Sequence, residues 1–265
     1  MTFHSCLDLE PQDQLGGKNM WTSVNDYKQF ANTFYSWTRD FSSVVYDGTH
    51  SDKRSDLITY QSYNEFSRGI NSIPSSDANY TDNYKHIRRT NLLLQNAEAY
   101  AKPEDIKQYI GEAYFFRAYS YFDLLQLYGD VIITKKPLDI TDPEMKVKRN
   151  DRSEVVDLII DDLNHAVENL PAFKELTTEE EGRISKEGAQ AFLSRVALYE
   201  GTWQKSRNGN QNTQRSANLL DIAAKAARTV IDAKYGYTFR LFGTDSETKI
   251  LGDSAQKYMF ILENE

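Results

Sequence analysis

The sequence of 265 residues has a single cysteine, Cys6, and no long apolar segment. One cysteine excludes an internal disulfide bond. No hydrophobic run approaches the roughly 20 residues that a membrane-spanning helix needs. The formal net charge of −8 argues against non-specific binding to nucleic acid, because attraction to phosphates requires a basic surface. The five residues before Cys6 are too few for a signal peptide.

Local motifs of the common enzyme and metal-site classes are also missing. The four histidines, at positions 4, 50, 86 and 165, form no pair with the spacing of metal ligands. There is no Gly-rich phosphate loop and no Gly-x-Ser-x-Gly turn. We therefore expect a protein that is not an enzyme and that carries no metal or other cofactor.

What the sequence does have is aromatic residues, and they are densest between Gly111 and Ile133. Seven Tyr and Phe side chains lie within fifteen residues of this segment. Apolar positions cover most of the circumference of a helix here, which indicates burial on several sides. Gly129 is typical of the position just beyond a helix end. The sequence therefore predicts a central, buried helix over residues 104–128.

Helical spacing of apolar residues predicts five further helices, over residues 22–39, 81–99, 152–170, 185–201 and 216–234. The order suggests two helix pairs followed by the start of a third. Small residues lie where paired helices would come close. We therefore expect an all-α, tetratricopeptide-like helical repeat with long loops. The pairs begin about seventy residues apart rather than 34, so insertions would have to lie between them. A helical bundle without repeats is the alternative.

Arginines of the second and third predicted helices, Arg88, Arg89 and Arg117, raise the question of an anion site. Arg117 lies within the aromatic helix, where a guanidinium can stack on rings or bond to carbonyl groups. We expect that structural role.

Both ends of the chain suggest an incomplete sequence. Residues 1–19 predict an extended tail, because Pro11 and two adjacent glycines would interrupt any helix there. Residues 258–263 predict a strand without a partner, and a lone strand cannot satisfy its backbone groups. We therefore expect one helical domain over residues 20–265, truncated at the C-terminus.

Four segments occur in an order that is typical of one family. They are CLDLEP at 6–11, NYKHIRRTNL at 83–92, GEAYFFRAY with YGDV at 111–131, and GRISK with ALYEG at 182–201. Together they resemble the SusD/RagB family of outer-membrane nutrient-binding lipoproteins of Bacteroidetes. Each match is weak alone, and their shared order is the signal.

The resemblance implies a non-enzymatic, tetratricopeptide-like scaffold that is lipidated at Cys6. Such a protein is held at the outer membrane by its lipid anchor only and faces the exterior. It captures oligosaccharides, or peptides in some members, and delivers them to a SusC-like TonB-dependent transporter. Members of the family also have a C-terminal half that this sequence lacks.

For the ligand site, the resemblance directs attention to the irregular segment 40–80. Aromatic faces stack on sugar rings, while Asn and Asp side chains bond to hydroxyl groups. The predicted ligand residues are Tyr46, Asp47, Asn79 and Tyr80. Tyr60 and Tyr63 are further candidates in this segment, but we favour an ordinary loop or packing role for them. Tyr80 stands where many relatives carry Trp, a difference that could weaken stacking or alter the choice of ligand.

An alternative from a different functional class is a soluble tetratricopeptide-like scaffold that binds a protein segment or peptide in a groove. Lipid labelling at Cys6 separates the two, because a cytoplasmic scaffold would carry no lipid. A third possibility, a catalytic or accessory domain of a glycoside hydrolase, would require turnover of a glycan.

Overall fold

The computed structural model describes residues 20–39, 54, 65, 67–70, 72–139, 141–207 and 213–239. Six α-helices lie in these ranges: α1 Val24–Asn32, α2 Ala78–Glu98, α3 Lys107–Tyr128, α4 Arg152–Asn169, α5 Lys186–Arg207 and α6 Thr213–Ile231. The described residues contain no strand, and extended backbone pairs there only in an isolated bridge between Val131 and Asn150. The all-α prediction is confirmed. The predicted tail over 1–19 and the predicted strand over 258–263 lie outside the described residues.

The chain divides into two compact units after Ile159, inside α4, and each unit is described by itself. In the first unit α2 and α3 run antiparallel. Asn91 of α2 meets Arg117 of α3, and Asn83 meets Asp123. A 3₁₀ turn over residues 33–37 continues α1 and packs its rings against α3. No helix in the described ranges has both the length and the hydropathy to cross a membrane.

Helix α3 is buried on nearly every side, as its aromatic sequence predicts. Thirteen of its 22 residues are buried, and the rings of Phe116 and Tyr121 are almost completely so. The helix ends at Gly129, whose φ of 73° lies in the left-handed region. The Gly129 N–H donates to the Leu125 carbonyl at 3.1 Å. The predicted position and end of the central helix are therefore confirmed.

Arg117 takes the structural role expected of it. Its guanidinium donates to Asn91 Oδ1 at 2.8 Å and lies 5.3 Å from the centre of the Tyr114 ring. Asn91 in turn donates to the backbone carbonyls of Thr134 and Lys136, at 3.0 and 3.3 Å. The pair of helices thereby holds the chain that follows α3 in a fixed position.

In the second unit α5 and α6 run antiparallel. Ser194 Oγ donates to the Ala223 carbonyl at 2.8 Å, and Ser216 Oγ donates to the Gly201 carbonyl at 2.7 Å. Residues 216–234 were expected to begin a third helix pair. The structure shows that α6 packs directly on α5.

One predicted helix end is wrong. The sequence predicts that the helix over residues 185–201 ends at Gly201, yet α5 continues through it to Arg207. A Cβ atom at Gly201 would lie 2.9 Å from Leu220 Cγ and 3.3 Å from Leu219 Cβ. The glycine is therefore needed for the close approach of α6 rather than for a change of backbone direction.

We expect Gly201→Val to lower the free energy of unfolding by about 1–3 kcal/mol, because its branched side chain overpacks the α5–α6 contact. Urea unfolding followed by circular dichroism measures the loss. Ala191→Val is the matched control, since Ala191 is exposed on the same helix. It should cost only the lower helix propensity of valine, about 0.6 kcal/mol. Equal losses in the two variants would contradict the assigned contact.

Candidate ligand-binding site

Two of the predicted ligand residues, Asn79 and Tyr80, lie in the first turn of α2. Asp77 caps this turn and accepts hydrogen bonds from the Asn79 backbone N–H at 2.9 Å and from Asn79 Nδ2 at 3.2 Å. The other predicted positions lie outside the described residues: Cys6, Tyr46, Asp47, Tyr60 and Tyr63.

Asn79 lines a cavity of about 170 Å³ in the first unit. The cavity lies between the 3₁₀ turn after α1, the N-terminal half of α2 and the facing side of α3. Its polar lining comprises Arg39, Asn79, Asp82, Asn83, His86 and Asp123, and its aromatic lining comprises Trp37 and Tyr119. Drug-sized ligands occupy pockets of about 300–1,000 Å³, so this cavity suits something smaller.

Helical spacing places the α2 and α3 side chains on the cavity. Asn79, Asn83 and His86 follow one another at intervals of four and three residues, and so share one face of α2. Tyr119 and Asp123 are four residues apart and share a face of α3. Because the two helices run antiparallel, these faces meet along the same stretch.

A buried hydrogen-bond network fixes the floor of the cavity. Asn83 is 7% exposed, and its Nδ2 donates to the Asn79 carbonyl at 2.8 Å and to Asp123 Oδ2 at 3.1 Å. The other carboxylate oxygen of Asp123 forms an ion pair with Arg39. The network connects the end of the 3₁₀ turn to both helices, and it holds the Asp123 carboxylate in one orientation.

One wall is a parallel stack of Trp37 and His86. The ring centres are 4.1 Å apart and the planes meet at 13°. Burial lowers the pKa of His86 to about 4; nearby Asp82 opposes this shift, while Arg89 and Lys85 add to it. The imidazole is therefore neutral at physiological pH, with one nitrogen that donates and one that accepts.

The lowered pKa of His86 predicts that acid destabilises the fold. An unfolded imidazole takes up a proton near its usual pKa of 6.5, whereas folded His86 stays neutral down to about pH 4. Stability should therefore fall as the pH drops from about 6.5 to 4, with no further loss from this group below that window. Melting temperatures measured across the window should fall less steeply in His86→Gln. A control at an exposed residue that does not titrate, Asn218→Ala, should keep the slope of the parent protein. Identical slopes in all three proteins would contradict the assignment.

Tyr80 does not line the cavity. Its ring packs 4.8 Å from Tyr84 and 5.2 Å from Tyr128, centre to centre. Tyr84 donates to the Ile132 carbonyl at 2.8 Å, and Tyr128 donates to Asp77 Oδ2 at 2.7 Å. Burial raises the pKa of both phenols, so they stay protonated as donors. Asn79 and Tyr80 thus belong to two different surfaces at the start of α2.

Sequence reasoning missed most of the cavity lining. Spacing along α2 could have added Asn83 and His86 to Asn79. Trp37 and Asp123 come from distant segments, and nothing local in the sequence connects them to α2. Within the described part of the chain, no group of three or more His, Cys, Asp or Glu residues could hold a metal ion.

Comparison with known families decides what kind of protein this is. A SusD-like family model, described as "Starch-binding associating with outer membrane", matches residues 7–198, well over half of the chain. The chain belongs to the SusD-like family. The resemblance drawn from four short segments is therefore confirmed.

Individual relatives of this SusD-like chain agree in sequence and fold. "SusD-like protein P38" of Formosa agariphila is 27% identical over 213 residues, which cover 74% of this chain and 39% of the relative. A crystal structure of a SusD-like protein from Bacteroides fragilis is 25% identical with a TM-score of 0.66, over 90% of this chain and 43% of that one. A "Laminarin binding SusD-like protein" is 28% identical with a TM-score of 0.52, over 66% and 35% of the two chains. This chain spans well under half the length of these relatives.

Proposed function

We propose that this SusD-like protein binds an oligosaccharide at the N-terminal half of α2. The observation that carries the proposal is the lining of the cavity beside Asn79. Amide, carboxylate and imidazole groups there converge with two aromatic side chains. Sugar recognition uses the same combination, because hydroxyl groups need donors and acceptors while the apolar faces of the ring favour aromatic contact.

The family supports a glycan as the ligand. Its description names starch binding and association with the outer membrane, and one similar structure is of a laminarin-binding protein. Tyr80 and the cavity flank the start of α2 on two sides, so an extended glycan could contact both. In this proposal Tyr46 and Asp47 add further contacts from the segment before α2.

The proposed mechanism is capture and delivery rather than catalysis. A lipid on Cys6 would hold the protein on the outside of the outer membrane, where it would pass oligosaccharides to a SusC-like TonB-dependent transporter. The antiparallel helices and the Asn83–Asp123 network supply a rigid support. Rigid sites lose little conformational entropy on binding, so a few weak contacts suffice for capture.

Isothermal titration calorimetry with oligosaccharides of starch and laminarin tests the binding step. Asn79→Ala should weaken binding about fivefold, since one hydrogen bond contributes about 1 kcal/mol. Asn218→Ala, at an exposed position of α6, is the matched control and should leave the dissociation constant unchanged. Absence of glycan binding, or equal effects of the two substitutions, would contradict the proposed site.

Lipidation is tested separately by labelling with a radioactive fatty acid in a Bacteroidetes host. The full-length gene should give a labelled protein in the outer-membrane fraction, and Cys6→Ala should abolish the label. An unlabelled parent protein would instead favour the alternative of a scaffold that binds a peptide. Co-purification with an outer-membrane transporter, tested in the same host, addresses delivery.

A further inference from the structure

The charged groups on the cavity are already paired inside the protein. Among the described residues that line the cavity, Arg39 is the only cation, and it pairs with Asp123. The Asp82 carboxylate accepts from Lys85 Nζ at 2.8 Å, and Lys85 lies outside the lining. His86 is neutral at physiological pH. In the described part of the lining, an entering ligand would therefore meet two carboxylates and one arginine, and the arginine is held by Asp123.

An anionic sugar would be poorly accommodated by this arrangement. Proteins hold carboxylates, sulfates and phosphates with Arg or Lys, often with two parallel bonds from one guanidinium. If Arg39 turned to such a group, it would leave the 14%-exposed Asp123 side chain without its ion pair. Breaking a largely buried ion pair in this way is strongly unfavourable.

The cavity offers hydrogen-bond donors and acceptors that suit the hydroxyl groups of a neutral sugar. The Asn79 amide can both donate and accept, the Asp82 carboxylate accepts from hydroxyl groups, and His86 offers one donor and one acceptor. The cavity volume of about 170 Å³ is well below the range of about 300–1,000 Å³ that holds drug-sized ligands. A single sugar ring is the unit of a glycan that suits this volume. Asn79 and Asp82 are exposed, so the rest of a glycan can remain outside.

We propose that the cavity accepts one neutral pyranose unit of the glycan and discriminates against uronate and sulfated units. This inference rests on the proposed function, because it specifies the class of sugar that the site selects. Selectivity arises because Arg39 is held by Asp123, and because the described lining, with two carboxylates and one arginine, has a net charge of −1 that repels an anion.

The test compares each neutral glucose oligosaccharide with its C6-oxidised counterpart, in which carboxylates replace the hydroxymethyl groups. Tetrasaccharides with α-1,4, β-1,3 and β-1,4 linkages form the panel, and calorimetry gives both dissociation constants. For every neutral oligosaccharide that binds, we expect the oxidised form to bind at least about tenfold more weakly, which is 1.4 kcal/mol.

Two carboxylate substitutions test whether the preference for neutral over oxidised oligosaccharides arises in the cavity. Asp82→Asn should lower the ratio of the two dissociation constants at least threefold, because one repulsive charge is removed from the cavity. Asp221→Asn is the matched control, since Asp221 also pairs with a lysine one helical turn away, Lys225, but on α6. It should leave the ratio unchanged.

Fluorescence shows whether the sugar enters the cavity. The protein has three tryptophans, and Trp37 lines the cavity. A change in emission on addition of a neutral oligosaccharide should disappear in Trp37→Phe and persist in Trp203→Phe.

The outcomes separate the two proposals. If no oligosaccharide binds, the proposed function is wrong, and this inference is overturned with it. If neutral and oxidised forms bind equally, or the oxidised form binds more tightly, the inference is overturned while glycan binding stands. Equal changes of the ratio in Asp82→Asn and Asp221→Asn would also overturn it, as would an emission change that survives in Trp37→Phe.

Discussion

Phe116→Ala is expected to lower the free energy of unfolding by about 3–5 kcal/mol. Phe116 is 1% exposed and lies where α3 meets the 3₁₀ turn after α1. Its ring centre is 5.7 Å from that of Phe34, 5.0 Å from Tyr35 and 5.9 Å from Trp37. Alanine would leave a cavity that these rings cannot fill, because each is held by other contacts.

Urea unfolding measures this loss, and Phe173→Ala is the control. Phe173 is 37% exposed and contacts the rings of Tyr237 and Phe239. Its removal should cost about 1 kcal/mol or less. Similar losses for the two phenylalanines would contradict the assignment of Phe116 to the centre of the core. Phe116→Leu, which fills part of the space, should give an intermediate value.

The effect of Phe116 should extend to the ligand site. Trp37 contacts Phe116 edge-on and stacks on His86 with its face. Loss of the Phe116 ring removes one support of Trp37 and loosens a wall of the cavity. The predicted consequence in Phe116→Ala is weaker glycan binding under conditions where the variant is still folded, as judged by circular dichroism.

Arg117→Met is expected to cost about 2–3 kcal/mol, because a buried hydrogen bond to a charged donor is lost. Arg117 is 5% exposed and Asn91 is fully buried. Methionine keeps much of the volume but leaves Asn91 Oδ1 without the guanidinium that donates to it. The Tyr114 ring also loses the cation beside it.

Thermal unfolding checks this prediction. For domains of about 150–250 residues, each kcal/mol lost from the free energy of unfolding lowers the melting temperature by about 2–4 °C. The variant should therefore melt roughly 4–12 °C below the parent protein. Arg195→Met is the control, because Arg195 is exposed on α5, and its change should stay within about 0.5 kcal/mol. A melting temperature equal to that of the control would show that Asn91 does not depend on Arg117.

Local sequence patterns were sufficient to predict the helices, because the interactions that start and end a helix join residues close together in the chain. Crowded aromatic residues identified α3, and Gly129 identified its end, since a left-handed residue there bonds back to Leu125. The start of α4 is stabilised just as locally, because the Glu154 carboxylate accepts from the Asp151 N–H at 3.0 Å. Each of these interactions joins residues within about one helical turn, so the sequence alone contains them.

Gly201 is a residue whose role local sequence patterns do not predict. Its neighbours along the chain are compatible with a helix end, but its role depends on Leu219 and Leu220 of α6. A glycine required by a helix approaching from outside has the same local sequence signal as a glycine that ends a helix. The distinction requires knowledge of which helices touch.

By itself, the sequence determined the helices, the buried aromatic centre, the structural role of Arg117 and the family. All of these depend on periodicity, or on motifs in a fixed order along the chain. Only the tertiary structure decided that Asn79 and Tyr80 lie on different surfaces, and that Trp37, Arg39 and Asp123 meet His86 and Asn83 around one cavity. The physical reason is that neighbouring residues on a helix point in different directions, while the partners across a cavity come from segments far apart in the chain.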